Sequence, residues 1–125
     1  MSNLSEQLER GDVLAAACPS RAVLRSMTSQ WGVLVLMVLR GGTLRFGELR
    51  RRIGGVSERM LAETLKRLEA NGLVRRVAYP VVPPVTEYSL TDLGHEGAER
   101  VAALADWVEV NLPVIVQGQE DRARD

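Results

Sequence analysis

The chain has 125 residues, which is one domain's worth, and 46% of them are apolar, enough for a core. Charged residues make up 26%, so wholesale disorder is not expected. One cysteine and one histidine exclude an internal disulfide and a Cys/His zinc site within one chain, and no cofactor motif is present. The formal net charge is zero, but its distribution is uneven. From Arg40 to Arg76 ten basic side chains face four glutamates, leaving the rest of the chain acidic. A local field of that kind suits a polyanionic partner, although mixed helix faces also carry such charge.

The polar start MSNLSEQLERGD has no signal-peptide layout, and no apolar run approaches the length of a bilayer span. A soluble, cytoplasmic protein without a membrane partner is expected. Residues 1–17 form a weak helix candidate, followed by Cys18-Pro19. Ser20 is placed to cap a short helix bearing Val23, Leu24 and Met27. TSQWGVLVLMVLRGG predicts a buried helix, capped by Thr28 or Ser29 and stopped at Gly41-Gly42. Thr43 to Arg45 reads as a connector with room for one β-bridge. In RFGELRRRI, Phe46, Leu49 and Ile53 fall on one side, leaving Glu48 and Arg50 to Arg52 outside.

After the Gly54-Gly55 turn comes VSERMLAETLKRLEANGLVRR. Ser57 predicts an N-cap, Val56 a hydrophobic staple on Leu61, and Gly72 a C-terminal stop with Leu73 folded back. Leu61, Leu65 and Leu68 face inward, which sends Arg59, Glu63, Lys66 and Arg67 outward. Two helices joined by a tight glycine turn is a helix-turn-helix pattern. LVRRVAYPVVPPVTEYSLT then predicts a hairpin whose tip, Pro80 to Pro84, cannot sit inside a ladder. Tyr79 and Tyr88 are expected at its base. Thr91 caps a final helix with a stripe of Leu93, Val101, Leu104, Val108 and Leu112, ended by Pro113. The stripe is expected to meet a second subunit, packing on its own domain being the alternative. Trp31 and Trp107 are expected as core and interface anchors, His95 as a surface residue, and 118–125 as a disordered tail after a single unit over 1–117.

The ordered series Cys18-Pro19, Trp31 with its apolar helix, RFGELRRRI, Val56-Ser57 with MLAETLKRLEANGLV, and YPVVPPVTEYSLTDLG resembles the HxlR-type regulators, a winged-helix branch related to MarR proteins. The resemblance covers about Cys18 to Trp107. It implies an α+β, mainly α fold: a winged helix-turn-helix with N- and C-terminal dimerisation helices. It also implies a dimeric, sequence-specific DNA-binding transcriptional regulator, a repressor, with recognition helix 57–70 and wing 74–90. The sequence departs from many relatives at Gln30, Val81 and Val85, where lysine, an acid and a base are common, and its wing tip is therefore apolar.

In that setting Ser57, Arg59, Met60 and Glu63 are candidates at the leading half of the recognition helix. Arg59 suits bidentate reading of guanine, and Glu63 either accepts from cytosine or pairs with Arg59 or Arg67. Lys66, Arg67, Arg45, Arg50, Arg51, Arg75 and Arg76 are phosphate candidates. Strand alternation puts Arg75 and Arg76 on opposite faces. A symmetric dimer would prefer an inverted-repeat operator with half-sites roughly 34–36 Å apart. In several relatives a cysteine before proline senses electrophiles or oxidants, so Cys18 is the candidate redox sensor and an electrophile or small molecule the candidate effector. The alternatives for Cys18 and for the whole surface are a small buried residue and a protein-interaction adaptor. Cys18 and His95 are the only nucleophile–base candidates, too little for an enzyme.

Overall fold

A computed structural model describes residues 10–124. It contains helices α1 (Ser20–Thr28), α2 (Gln30–Leu39), α3 (Phe46–Arg52), α4 (Glu58–Ala70) and α5 (Asp92–Arg124), with strands β1 (Leu44–Arg45), β2 (Val74–Tyr79) and β3 (Val85–Leu90). The strands form an antiparallel sheet in the order β1-β3-β2. Helices α3 and α4 joined by the Gly54-Gly55 turn, with the β2–β3 hairpin behind them, make a winged helix-turn-helix.

Each element follows from local chemistry. Ser29 caps α2, its Oγ accepting from the Gly32 N–H at 3.2 Å. The Arg45 N–H donates to Glu48 Oε1 at 2.9 Å, which satisfies an orphan donor at the start of α3. Gly55 turns the chain at φ 86°, a region open to glycine. Ser57 Oγ accepts from the Met60 N–H at 3.1 Å. At the other end of α4 the Gly72 N–H reaches Glu69 O and the Leu73 N–H reaches Leu68 O, with Gly72 at φ 74°. That is the pair of bonds of a Schellman closure. Thr91 then ties the final helix to this closure: its N–H donates to Leu73 O, its Oγ1 donates to Gly72 O and accepts from the Gly94 N–H.

The core gathers Val35, Leu36 and Leu39 of α2, Leu49 of α3, Leu61, Leu65 and Leu68 of α4, Tyr88 and Leu90 of β3, and Ala98 and Val101 of α5. Trp31 and Phe46 pack against it, and Phe46 stands tilted to Tyr88 with ring centroids 6.4 Å apart.

Four expectations are corrected. Residues 1–9 of the N-terminal helix candidate lie outside the described residues, and 10–17 form turns rather than helix. There the Asp12 carboxylate accepts from the Leu14 N–H at 3.1 Å, a local bond that competes with helix. Pro19, not Ser20, occupies the N-cap of α1: its backbone, at φ −62° and ψ −16°, is already helical, and Ser20 as the first helical residue donates its hydroxyl to Cys18 Sγ at 3.1 Å. Tyr79 pairs with Val85 at the tip end of the hairpin and is exposed, whereas Tyr88 is at the base. Finally α5 does not stop at Pro113 but runs on to Arg124, through the segment expected as a disordered tail. A proline inside a helix removes one backbone bond, and here the residues around it are exposed, so water can satisfy the freed carbonyl.

Helix α5 buries Gly94, Ala98, Val101 and Ala102 against the domain. Beyond Ala102 it presents Leu104, Trp107, Val108 and Leu112 to solvent, Trp107 being 59% exposed. By length and composition alone its most apolar stretch, of mean hydropathy 1.2, would suffice to cross a bilayer. Asp106 and Glu109, however, lie one turn apart on this exposed part, and each acid at a bilayer centre would cost about 2.5–3.5 kcal/mol.

Candidate nucleic-acid interface

Burial of Leu61, Leu65 and Leu68 fixes the rotation of α4. Thr64 is also buried, its hydroxyl donating to Met60 O at 2.7 Å. Arg59, Ala62 and Lys66 are left exposed along the opposite side, and Glu63 is partly so. Arg59 Nε donates to Glu63 Oε1 at 3.3 Å, with the arginine side chain 87% exposed. Of the two arginines offered to Glu63 by the sequence, Arg59 takes it. The pair is an exposed i,i+4 bridge of about 0.3–0.5 kcal/mol. It leaves both Nη groups of Arg59 open for a second acceptor pair.

Ser57 spends its side chain on capping, at the leading end of α4. Met60 is partly exposed on the flank that also carries Arg67. Arg50 of α3 bonds Glu58 at 3.0 Å and so braces the two helices of the motif. Arg51 and Arg45 are exposed and make no ion pair among the described residues.

In the hairpin, Arg75 opposes Ser89 and Arg76 opposes Tyr88. Arg76 lines a hollow with Ala62, Lys66 and Glu69 of α4. Arg75 therefore projects from the face turned away from α4. The hollow puts Arg76 and Lys66 on one continuous surface, a link between wing and helix that sequence spacing does not reveal. The tip is apolar, with Val82 99% exposed.

Cys18 is half-buried just before α1. Its sulfur accepts from Ser20 Oγ at 3.1 Å and from the Asp12 N–H at 3.2 Å. These bonds, the Ser20 hydroxyl first, hold the thiol below its ordinary pKa against some desolvation and the Asp12 charge. Arg21, expected to help, does not: its guanidinium donates to Val13 O and Leu14 O, both at 2.9 Å. The Cys-x-Ser spacing points to Ser20 as a partner, while nothing in the sequence points to the Asp12 N–H. His95 is exposed in the first turn of α5, and the described residues hold no cluster able to bind a metal ion.

The fold and this basic helix face define a winged helix-turn-helix regulator. Residues 26–115 match the HxlR-like helix-turn-helix family, and the chain belongs to that family. It is 58% identical over 121 residues to the HTH-type transcriptional regulator YtfH of Escherichia coli (strain K12), spanning 97% of this chain and 96% of that one. Among solved structures, the transcriptional regulator ytfH from Salmonella typhimurium superposes with a TM-score of 0.86 at 57% identity, over 89% of this chain and 99% of that one. The redox regulator HypR in its reduced form superposes with a TM-score of 0.71 at 34% identity, over 79% of this chain and 98% of that one. The chain is thus a helix-turn-helix transcriptional regulator by family and by fold.

Proposed function

We propose that the protein is a cytoplasmic, dimeric, sequence-specific DNA-binding repressor, with α4 in the major groove and the β2–β3 hairpin as its wing. The observation that carries this reading is the rotation of α4: with its leucines buried, Arg59 and Lys66 stand on one exposed face, with Arg76 beside Lys66. A helix fits the major groove, and its N-terminal half reaches base edges. Arg59 reads guanine through its Nη pair, and Ser57, Met60 and Glu63 border it. Arg45, Arg50, Arg51, Lys66, Arg67, Arg75 and Arg76 are the candidate phosphate contacts, with Arg76 favoured over Arg75 by its place beside α4.

The exposed apolar side of α5 supports dimerisation, since Leu104, Trp107, Val108 and Leu112 find no partner within the described residues of one chain. Two recognition helices related by a two-fold axis select an inverted repeat. Occupying a promoter excludes polymerase, which is the repressor part of the reading. Cys18 is the proposed sensor: its hydrogen bonds favour the thiolate, the form that attacks electrophiles, and the likeness to a redox regulator agrees.

The test is a salt-titrated binding assay on duplex from just upstream of the protein's own gene. Arg59→Ala should relax sequence preference by about 1–3 kcal/mol. Arg51→Ala should weaken all sequences alike and lower the salt slope by about 1. Equal loss of preference in both variants would refute the division of roles. Absence of any duplex binding at low salt would leave the adaptor reading, which the apolar wing tip favours.

A further inference from the structure

On the flank of α4 away from the wing, that helix and α1 enclose a concavity of about 480 Å³. Arg25, in the last turn of α1, and Arg67, in the last turn of α4, both line it. Ala22 and Ala70 supply apolar surface, and Ser29 and Asn71 polar surface. No acid lines it. Among the described residues Arg40, Arg50 and Arg59 each hold a carboxylate, yet neither Arg25 nor Arg67 does. Glu63, one turn before Arg67, is engaged by Arg59.

A basic residue in a last turn complements the helix dipole, but that role asks for no shared hollow. Here two arginines from different helices line one space, and like charges that share a hollow repel. The walls are held in place: Asn71 Nδ2 donates to Ser26 Oγ at 2.9 Å across the two helices, and Ser29 Oγ is committed to the cap of α2. The first turn of α2, which opens at Ser29, carries no acid, so its positive end adds to the field. The volume lies within the range of small-molecule sites, about 300–1,000 Å³. Guanidinium forks suit carboxylate and phosphate oxygens.

We propose that this concavity binds a small organic anion, a carboxylate or phosphate group on a short apolar body, clamped by Arg25 and Arg67. Because Arg67 belongs to α4, occupancy ties the end of that helix to α1. By linkage the anion then alters duplex affinity, a step that rests on the DNA-binding reading above.

The site itself is tested without DNA. Full-length ¹⁵N-labelled protein is titrated with sodium benzoate and, separately, with inorganic phosphate at low ionic strength. Saturable shifts are expected at the Nε groups of Arg25 and Arg67 and at the amides of Ser29 and Asn71, with benzoate half-saturating near 1 mM, on the order of a weak fragment. Arg25→Gln and Arg67→Gln should each weaken binding at least about tenfold, and Arg52→Gln, at an exposed position of α3 outside the concavity, should leave it unchanged. Shifts that do not saturate, or that vanish equally in Arg52→Gln, would overturn the proposal. So would a result in which neither anion binds but both cavity variants lower the salt dependence of duplex affinity, since the occupant would then be a backbone phosphate of DNA. Failure of duplex binding with anion binding intact would refute only the reading of α4.

Discussion

Replacing Gly94 by alanine should separate close packing from helix propensity. Gly94 sits in the first turn of α5, directly on the backbone of Leu73, the residue at which the Schellman closure enters β2. A Cβ at Gly94 would lie 1.9 Å from Leu73 O and 2.8 Å from its carbonyl carbon. Both are backbone atoms, so nothing nearby can rotate out of the way. The helix must back off, which strains or breaks the bonds of Thr91 to Gly72 O and Leu73 O. Overpacking costs about 1–3 kcal/mol, and two weakened hydrogen bonds add about 1 kcal/mol each. Alanine returns at most about 1 kcal/mol through helix propensity. A net loss of roughly 2–4 kcal/mol is expected, which at about 4 °C per kcal/mol is a drop of some 8–16 °C in Tm. The assay is thermal unfolding followed by circular dichroism at fixed protomer concentration, because association shifts apparent stability. Gly97→Ala is the control: its Cβ would meet only Met27 Cε at 2.6 Å, the free end of a flexible side chain, and should change stability by less than about 1 kcal/mol. An unchanged or raised Tm for Gly94→Ala would show that propensity governs this turn and that the contact with Leu73 is not tight.

Arg76→Ala should lower the salt slope of duplex binding by about 1, while Arg75→Ala should leave it near the parent value; the reverse order would mean that the wing presents its other face. Ser20→Ala removes the first donor to Cys18 Sγ. The lowered pKa keeps thiolate present at lower pH, so loss of this donor should move the midpoint of iodoacetamide alkylation upward, toward the ordinary thiol range, and slow the reaction at neutral pH. A midpoint that does not move would assign the thiolate's stability elsewhere. Val108→Glu places a carboxylate in the proposed dimer face of α5, where an unpaired buried charge costs about 3–5 kcal/mol. Light scattering should then report a monomer, and a parent protein already monomeric at micromolar concentration would end the dimer reading.

The helix-turn-helix was legible because its signals are local. Ser57, Asn71-Gly72 and the leucine spacing each specify a feature within a few residues, and α4 begins and ends where they place it. The hairpin was readable for the same reason, from alternation and the proline tip, whereas Leu44–Arg45, read as a connector with room for one β-bridge, is a two-residue strand. What failed is long-range or compensated. The face by which α5 meets its own domain went unmarked, since it is made mainly by Gly94, Ala98 and Ala102, whose smallness permits close approach and which hydrophobic pattern does not flag. Pro113 reads as a stop, and only the exposure around it lets the helix continue. The partners of Arg59, Arg50 and Cys18 are set by side-chain rotation, and so are the grouping of Arg76 with Lys66 and of Arg25 with Arg67. Spacing offered Glu63 two arginines with nothing to choose between them.

The reach of α5 past Ala102 bears on how the molecule matures. Some twenty residues there form a rod of about 30 Å that buries no residue against the other described residues and carries a proline at its middle. Pro113 divides it into runs of about ten residues, and helices that short, unsupported in water, are marginal. In the dimer proposed above, the partner would supply helicity to this half, and ellipticity at 222 nm should then fall on dilution before the winged core melts. A newly made chain of such a dimer would finish coiling only when it meets a companion, so abundance itself would decide how much of the molecule is ordered.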